Sequence, residues 1–268
     1  MKFGICTGID DIHEAAEAGY DYVEMGAGTL VPAEDEPAFA VVKRKIKEAP
    51  LPVQAFNCFF SSGYRVTGPA VDLKVVGNYM DKVLRRASEA GASIMVFGSG
   101  GARKMPEGFN DVNRAWEQLA EAARLAAETG AKYGVMIVME PLFKKGCNFF
   151  NRVDQGAAFV DRVAHPNLKL LADLFHVAEE NEPLNNIAAA GKRLAHIHLP
   201  PPAIPETGEG TAYDFQGFFR ALKQAGYNGR VSVEDNPGLL RKIAPPGARA
   251  LAAPKERLAA VLAFLRKQ

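Results

Sequence analysis

The chain is poor in most of the residues that mark special classes of protein. It has 3 cysteines in 268 residues, Cys6, Cys58 and Cys147, an odd and scattered set. That excludes a disulfide framework and reads as free thiols in a reducing compartment. It has almost no net charge, with 32 Lys and Arg against 31 Asp and Glu. A broad basic surface for nucleic acid or an anionic membrane is therefore not expected. No apolar run approaches the roughly 18 residues of a membrane span. The opening MKFGICTGID carries neither a long apolar stretch nor a cleavage-like site, so no secretory signal is expected. No Pro/Gly/Ser-rich linker and no low-complexity tract divides the chain. These absences leave a cytoplasmic globular protein, one domain over residues 1–268, with no nucleic-acid or membrane partner. A homo-oligomer stays open.

What the chain does contain is a regular alternation. Short apolar runs read as strands at Phe3–Cys6, Tyr22–Met25, Val53–Phe56, Ser93–Phe97, Val135–Met139, Leu168–Ala172, Leu194–Leu199 and Arg230–Val233. Between them lie segments of helical period. Asp11–Ala18 is closed by Gly19, and the segment from about Val71 to Ala90 by Gly91. The clearest helix is opened by Asp111, striped by Ala115, Leu119, Ala122 and Ala126, and ended at Gly130. Others fall near Pro37–Glu48, Asp154–Val163, Pro183–Ala190 and Phe215–Ala225, and Pro254 opens the last. Eight strand–helix units in about 250 residues are the size and rhythm of a (β/α)8 TIM barrel. An open doubly wound sheet uses the same alternation and is the rival architecture.

The strand ends carry the chemistry. In a barrel, reactive groups sit where strands finish at the C-terminal rim. GVMIVMEP closes on Glu140, LKLLAD on Asp173, LAHIHLP on His196 and His198, and RVSVED on Glu234 and Asp235. Asp173 alone reads either as the cap of the next helix or as a buried acid needing a partner. A cap does not explain Glu140, which precedes Pro141, or His198, which precedes a proline run. Three carboxylates and one imidazole on one rim make an oxygen-rich site suited to Mn²⁺, Mg²⁺ or Co²⁺. His196 and His198 are two apart and face one side of their strand. His198 is nearer the rim and is the expected ligand; His196 is the deeper, supporting one. His176 lies past the strand, in a segment read as loop, and is the candidate for a substrate hydroxyl.

These same segments carry a resemblance. AGYDYVEM, VMEPLFKKGCNFFN, LLADLFH, HIHLP and GEGTAYDF followed by LKQAGYNGRVSVED resemble, in order and spacing, the xylose isomerase-like TIM barrels, the sugar phosphate isomerase/epimerase superfamily. The resemblance runs nearly end to end and extends to that superfamily's ketose 3-epimerases and hydroxypyruvate isomerase. It implies one divalent metal ion held by Glu140, Asp173, His198 and Glu234. It also implies that Glu140 and Glu234 form the acid/base pair and that His176 contacts a small sugar substrate. Two features depart from the pattern. Relatives carry Asn-Arg soon after Glu-Pro-Leu, where this chain has Phe143, Lys144 and Gly146. They also carry an arginine after the strand-seven histidine, where this chain has Pro200, Pro201, Pro202, Ala203 and Ile204. A replacement for that sugar-reading shell is sought in FGSGGARK, where small residues precede Arg103 and Lys104, and in Lys144. Arg103 and Lys144 are the candidate substrate-binding cations.

The expected function is metal-dependent proton transfer next to a carbonyl through an enediolate, giving a sugar epimerase or isomerase. An inosose-type dehydration on the same site, or a non-catalytic sugar-binding barrel, are the alternatives. A DNA-repair endonuclease of the same superfamily needs a three-zinc, histidine-rich cluster, and 5 histidines with near-zero net charge argue against it.

Overall fold

The structure is a computed structural model that describes residues 1–202, 213–234 and 253–268. Asp235, Ala203, Ile204 and the glycines of GEGTAYDF, all noted in the sequence, lie outside the described residues. Eight strands run β1 (Lys2–Cys6), β2 (Tyr22–Gly26), β3 (Val53–Asn57), β4 (Ile94–Phe97), β5 (Met136–Met139), β6 (Leu168–Asp173), β7 (Leu194–Leu199) and β8 (Arg230–Val233). All pairings are parallel, and β8 returns to β1 through the register Phe3↔Val231 and Ile5↔Val233. The sheet is a closed barrel in sequence order, which rules out the doubly wound sheet.

Helices cover the outside. In chain order they are α1 (Ile12–Ala18), α2 (Glu36–Glu48), α3 (Leu73–Glu89), α4 (Gly100–Arg103), α5 (Val112–Tyr133), α6 (Val153–Val163), α7 (Leu174–Glu179), α8 (Asn185–Ala190), α9 (Phe215–Gln224) and α10 (Pro254–Leu265). Their starts follow from side-chain caps that satisfy the free N–H groups of the first turn. Asp72 accepts from Lys74 and Val75 at 2.9 and 3.1 Å, and Asp111 accepts from Arg114 at 2.9 Å. The stripe of α5 is buried as its spacing predicts, with Ala115, Leu119, Ala122 and Ala126 inaccessible.

Gly130 does not end α5. The helix continues to Tyr133 and stops at Gly134, which adopts φ +70°. Gly130 is needed for space: a Cβ there would sit 2.3 Å from the Val135 carbonyl oxygen, where the chain doubles back into β5. The segment after β6 also differs from expectation. Strand passes directly into α7, so His176 sits on a helix rather than in a loop. The run FGSGGARK likewise holds a short helix, α4.

Inside the barrel, side chains alternate along each strand. Ala55, Ile94, Val96, Val138 and Leu171 form an apolar cluster separate from the larger core beneath the helices. Two residues beyond Val138 comes Glu140, and two beyond Leu171 comes Asp173. His198 stands two past His196, and Glu234 two past Ser232. Period two therefore carries all four strand-end groups to the lumen side at the rim.

Candidate functional site

Glu140, Asp173, His198 and Glu234 converge. One ligand-type atom from each lies within 4.8 Å of all the others. His198 Nδ1 stands 3.1 Å from Glu234 Oε2 and 3.4 Å from Glu140 Oε1. The first three residues are buried, and the Glu234 side chain is 38% exposed. Asp173 answers both readings of its position. Its Oδ1 accepts the Phe175 N–H at 2.7 Å and caps α7. Its Oδ2 faces the site, 3.8 Å from His176 Nε2. A single carboxylate has two oxygens, so cap and site member are compatible.

The cluster is short of positive charge. Burial pushes Asp173 up to about 6; His176 opposes this, and the Glu234 and Glu140 charges reinforce it. Glu140 Oε1 and His198 Nδ1 are buried with no hydrogen-bond partner among the described residues. Two orphaned lone-pair donors, facing two more carboxylates at ligand spacing, fit a divalent cation with oxygen preference.

Glu24, in the middle of β2, supports the site from below and was missed by the sequence reading. It is inaccessible to solvent. Its Oε1 lies 2.9 Å from His198 Nε2, and its Oε2 lies 2.7 Å from His196 Nε2 and accepts from Ser232 Oγ at 2.7 Å. Tyr22 Oη completes the chain, 2.9 Å from Ser232 Oγ. Burial alone would raise the Glu24 carboxyl, but the facing His198 and His196 hold it well below the usual range. An ionised Glu24 accepts a hydrogen bond from His198 Nε2–H, which leaves Nδ1 turned to Glu140 and Glu234. His196 thus takes the deeper, supporting place expected of it. The signal for Glu24 was present: a charge interrupting the apolar run YVEMG.

His176 lies at the cavity wall. Its Nδ1 accepts the Phe143 N–H at 3.3 Å, and its ring stacks on Phe143 at 5.4 Å between centroids. That leaves Nε2 as the N–H side, 3.9 Å from Glu140 Oε1. The loop carrying Phe143 is pinned by Asn151, whose Nδ2 donates to the Leu142 and Cys147 carbonyls at 2.6 Å each. This gives Asn151, the second of the two asparagines in VMEPLFKKGCNFFN, its structural role.

Two expected substrate contacts are corrected. Arg103 is fully buried; it donates to the Gly98 carbonyl at 2.9 Å and lies over the Phe150 ring, away from the cavity. Lys144 is 75% exposed and pairs with Glu180 at 3.2 Å on the outer rim. Within FGSGGARK, Gly98 and Gly100 serve close packing, while Gly101 has open space around it. A Cβ on Gly98 would fall 1.8 Å from Glu140 Oε2, and one on Gly100 would fall 2.7 Å from the Gly146 carbonyl oxygen. The cavity above the cluster has a volume of about 550 Å³. Asn57, Cys58, Arg65 and Gly98 join Glu140, His176 and Glu234 in its lining.

A closed parallel barrel with a carboxylate-rich, cation-ready cluster at its C-terminal rim defines a TIM-barrel enzyme site. The chain belongs to the xylose isomerase-like TIM barrel family, whose pattern it matches over residues 12–268. It is an enzyme of the isomerase type, by its likeness to curated relatives. An L-ribulose 3-epimerase of Methylomonas sp. is 31% identical over 232 residues, 82% of this chain and 75% of that protein. A D-psicose 3-epimerase of Ruminiclostridium cellulolyticum is 31% identical over 120 residues, 44% of this chain and 41% of that protein. In fold, the chain superposes on a D-psicose 3-epimerase crystallised with D-tagatose, from Clostridium cellulolyticum H10. The TM-score is 0.80 at 20% identity, over 100% of this chain and 99% of that one. No helix among the described residues is long and apolar enough to cross a membrane.

Proposed function

We propose that the protein is a divalent-metal-dependent ketose 3-epimerase, with Glu140, Asp173, His198 and Glu234 as metal ligands and Glu140 and Glu234 as the acid/base pair. The observation that carries this is the cluster itself: four ligand-type atoms from four consecutive strand ends, all within 4.8 Å, two of them buried without a partner. Likeness to curated 3-epimerases supports the choice of reaction. Mn²⁺, Mg²⁺ and Co²⁺ match the donor set.

A C–H bond beside a carbonyl is too weakly acidic to ionise at neutral pH without help. A divalent ion at the cluster supplies Lewis-acid stabilisation of the charge that builds on the carbonyl oxygen. Glu140 takes the proton from C3, and the C–H electron pair moves into the carbonyl to give an enediolate. Glu234, starting as the acid, returns a proton to the opposite face of C3. The product is the epimer, with Glu140 now protonated and Glu234 ionised, ready for the reverse sense or for exchange with water. His176 holds a substrate hydroxyl through Nε2–H, an orientation its Nδ1 contact to Phe143 enforces. Gly98 leaves room for the Glu140 carboxylate against the wall of the site.

The test is solvent exchange. Ketoses, aldoses and inososes incubated with metal-loaded protein in D₂O are followed by NMR. Deuterium at C3 of a ketose, with its epimer appearing, is expected. Label at C1 or C2 would mean aldose–ketose isomerisation, and loss of a hydroxyl would mean dehydration; either result replaces this reading. A metal-loaded protein that labels nothing overturns it.

A further inference from the structure

One buried cation in the wall of the site takes no part in the proton transfer. Arg103 ends α4 and is inaccessible to solvent. Its backbone is clamped from the connection between β3 and α3. The Val66 N–H donates to the Ala102 carbonyl at 2.9 Å, and Thr67 Oγ1 donates to the Arg103 carbonyl at 2.6 Å. The short turn of α4 sends the side chain back beneath the strand end, where Nη2–H donates to the Gly98 carbonyl at 2.9 Å. The guanidinium carbon lies 5.2 Å from the centre of the Phe150 ring, which closes that face to water. Nε and Nη1 are buried with no hydrogen-bond partner among the described residues.

Arg86 shows how a buried arginine is better accommodated. Its Nη1 and Nη2 donate to the carbonyls of Leu30, Val31, Glu34 and Asp35, and Nη2 pairs with Glu36 at 2.9 Å. Arg103 has the Gly98 carbonyl alone among the described residues. A buried charge with two unmet donors works against folding, and an arginine does not escape by losing its proton. Burial pulls the guanidinium below its ordinary value; Cys147 and then Glu140 act against that pull. What the arginine holds is the backbone that touches the Glu140 carboxylate. A Cβ on Gly98 would fall 1.8 Å from Glu140 Oε2 and 3.0 Å from its Cδ. Fixing the Gly98 carbonyl therefore fixes the surface against which Glu140 rests.

We propose that Arg103 is a positioning residue for the proton transfer: it holds the end of β4 against the Glu140 carboxylate, and the chain keeps it there at a cost in stability. The inference rests on the acid/base reading of Glu140 and adds the group that sets where its carboxylate stands. It gives FGSGGARK a shared purpose. Gly98 brings the backbone up to Glu140, and the arginine five residues on locks that approach from behind.

The experiment compares wild type with Arg103→Met and Arg103→Lys, each loaded with Mn²⁺. Methionine follows the arginine stem without charge or N–H, and exchanging a buried charge for an apolar side chain of similar size is often neutral or stabilising. Arg103→Met is therefore expected to melt at or above the wild-type temperature, although the Gly98 carbonyl loses its donor. With a ketose in D₂O, its kcat for C3 deuteration is expected to fall about 10- to 100-fold, the scale of a misplaced reacting group. KM is expected to stay close to wild type, because Arg103 does not line the cavity. Arg103→Lys keeps a charge and a donor and is expected to recover most of kcat. Crystal structures of metal-free wild type and Arg103→Met add a readout independent of turnover: the Glu140 carboxylate is expected to shift or lose order in the variant. An unchanged kcat, a loss carried by KM, or a lysine variant no better than the methionine one overturns the proposal. So does a methionine variant that melts below wild type or fails to fold, because that shows a purely structural role. If wild type labels no sugar, the acid/base reading fails separately and the crystal structures decide. A displaced Glu140 carboxylate then upholds the positioning role, and one in its wild-type place overturns it.

Discussion

Replacing Glu24 by Gln changes one atom in a site the substrate never touches, and it is expected to weaken metal binding. In the wild type both carboxylate oxygens accept: Oε1 faces His198 Nε2 at 2.9 Å, and Oε2 faces His196 Nε2 at 2.7 Å with Ser232 Oγ also at 2.7 Å. A glutamine has one accepting oxygen and one donating NH₂. If the NH₂ faces His198, Nε2 must accept, the proton moves to Nδ1, and the lone pair directed at Glu140 and Glu234 is lost. If the NH₂ faces His196, that histidine must change tautomer and the Ser232 hydroxyl loses its acceptor. Either arrangement also removes the negative charge behind His198. Such supporting carboxylates are worth about 10–100-fold in metal affinity, or about 1.4–2.7 kcal/mol. Calorimetric titration with Mn²⁺ measures the loss, and ¹⁵N histidine spectra report which nitrogen of His198 carries the proton. Glu24→Gln keeps the volume of the side chain, so a melting temperature close to wild type separates lost affinity from lost fold. A Mn²⁺ affinity indistinguishable from wild type in a folded Glu24→Gln protein would refute the reasoning.

Other perturbations test other links. Gly98→Ala places a Cβ 1.8 Å from Glu140 Oε2; the carboxylate must move, and C3 exchange is expected to drop about 10²-fold or more, the scale of an acid/base contribution, while circular dichroism stays native. Stripping metal with a chelator and restoring Mn²⁺ at about 100 times its Kd is expected to add about 2.7 kcal/mol of stability; an unchanged melting curve in calorimetry would count against the cluster as a metal site. Glu36 is held at about 2, below its ordinary 4.5, first by the Arg86 hydrogen bond and then by that of Arg85. Its folded pKa is depressed, so its contribution is present above about 4.5 and lost as pH falls toward about 2. Wild type and Glu36→Gln should therefore differ in melting temperature near neutrality and converge in that acid window; a constant gap down to the lower limit would refute the assignment.

Much of this site could be read from order along the chain. Parallel strands covered on both faces read as apolar runs, so a charge that ends one stands out. Glu140, Asp173, His198 and Glu234 each end such a run, and period two then puts them on one side of the wall. The helix start at Asp111 was equally legible, because a cap acts within three residues, whereas the cap at Asp72 was not read from the sequence. Gly130 and Gly98 were visible as glycines, but their reason was not: each is small because a distant backbone or carboxylate comes within a Cβ's reach.

What the sequence determined by itself was therefore the local and the periodic: element type, rhythm, and which polar residues sit at strand ends. Tertiary structure decided where long side chains point and which residues meet across the barrel. Glu24 finds His196 and His198 at sequence separations of 172 and 174, a pairing that exists only once the sheet closes on itself. Arg103 and Arg65 are both cations after short strands, yet one is driven under the wall against Gly98 and Phe150 while the other opens into the cavity. An arginine's flexible stem reaches several alternative surfaces, and packing around it, not its position in the chain, selects among them.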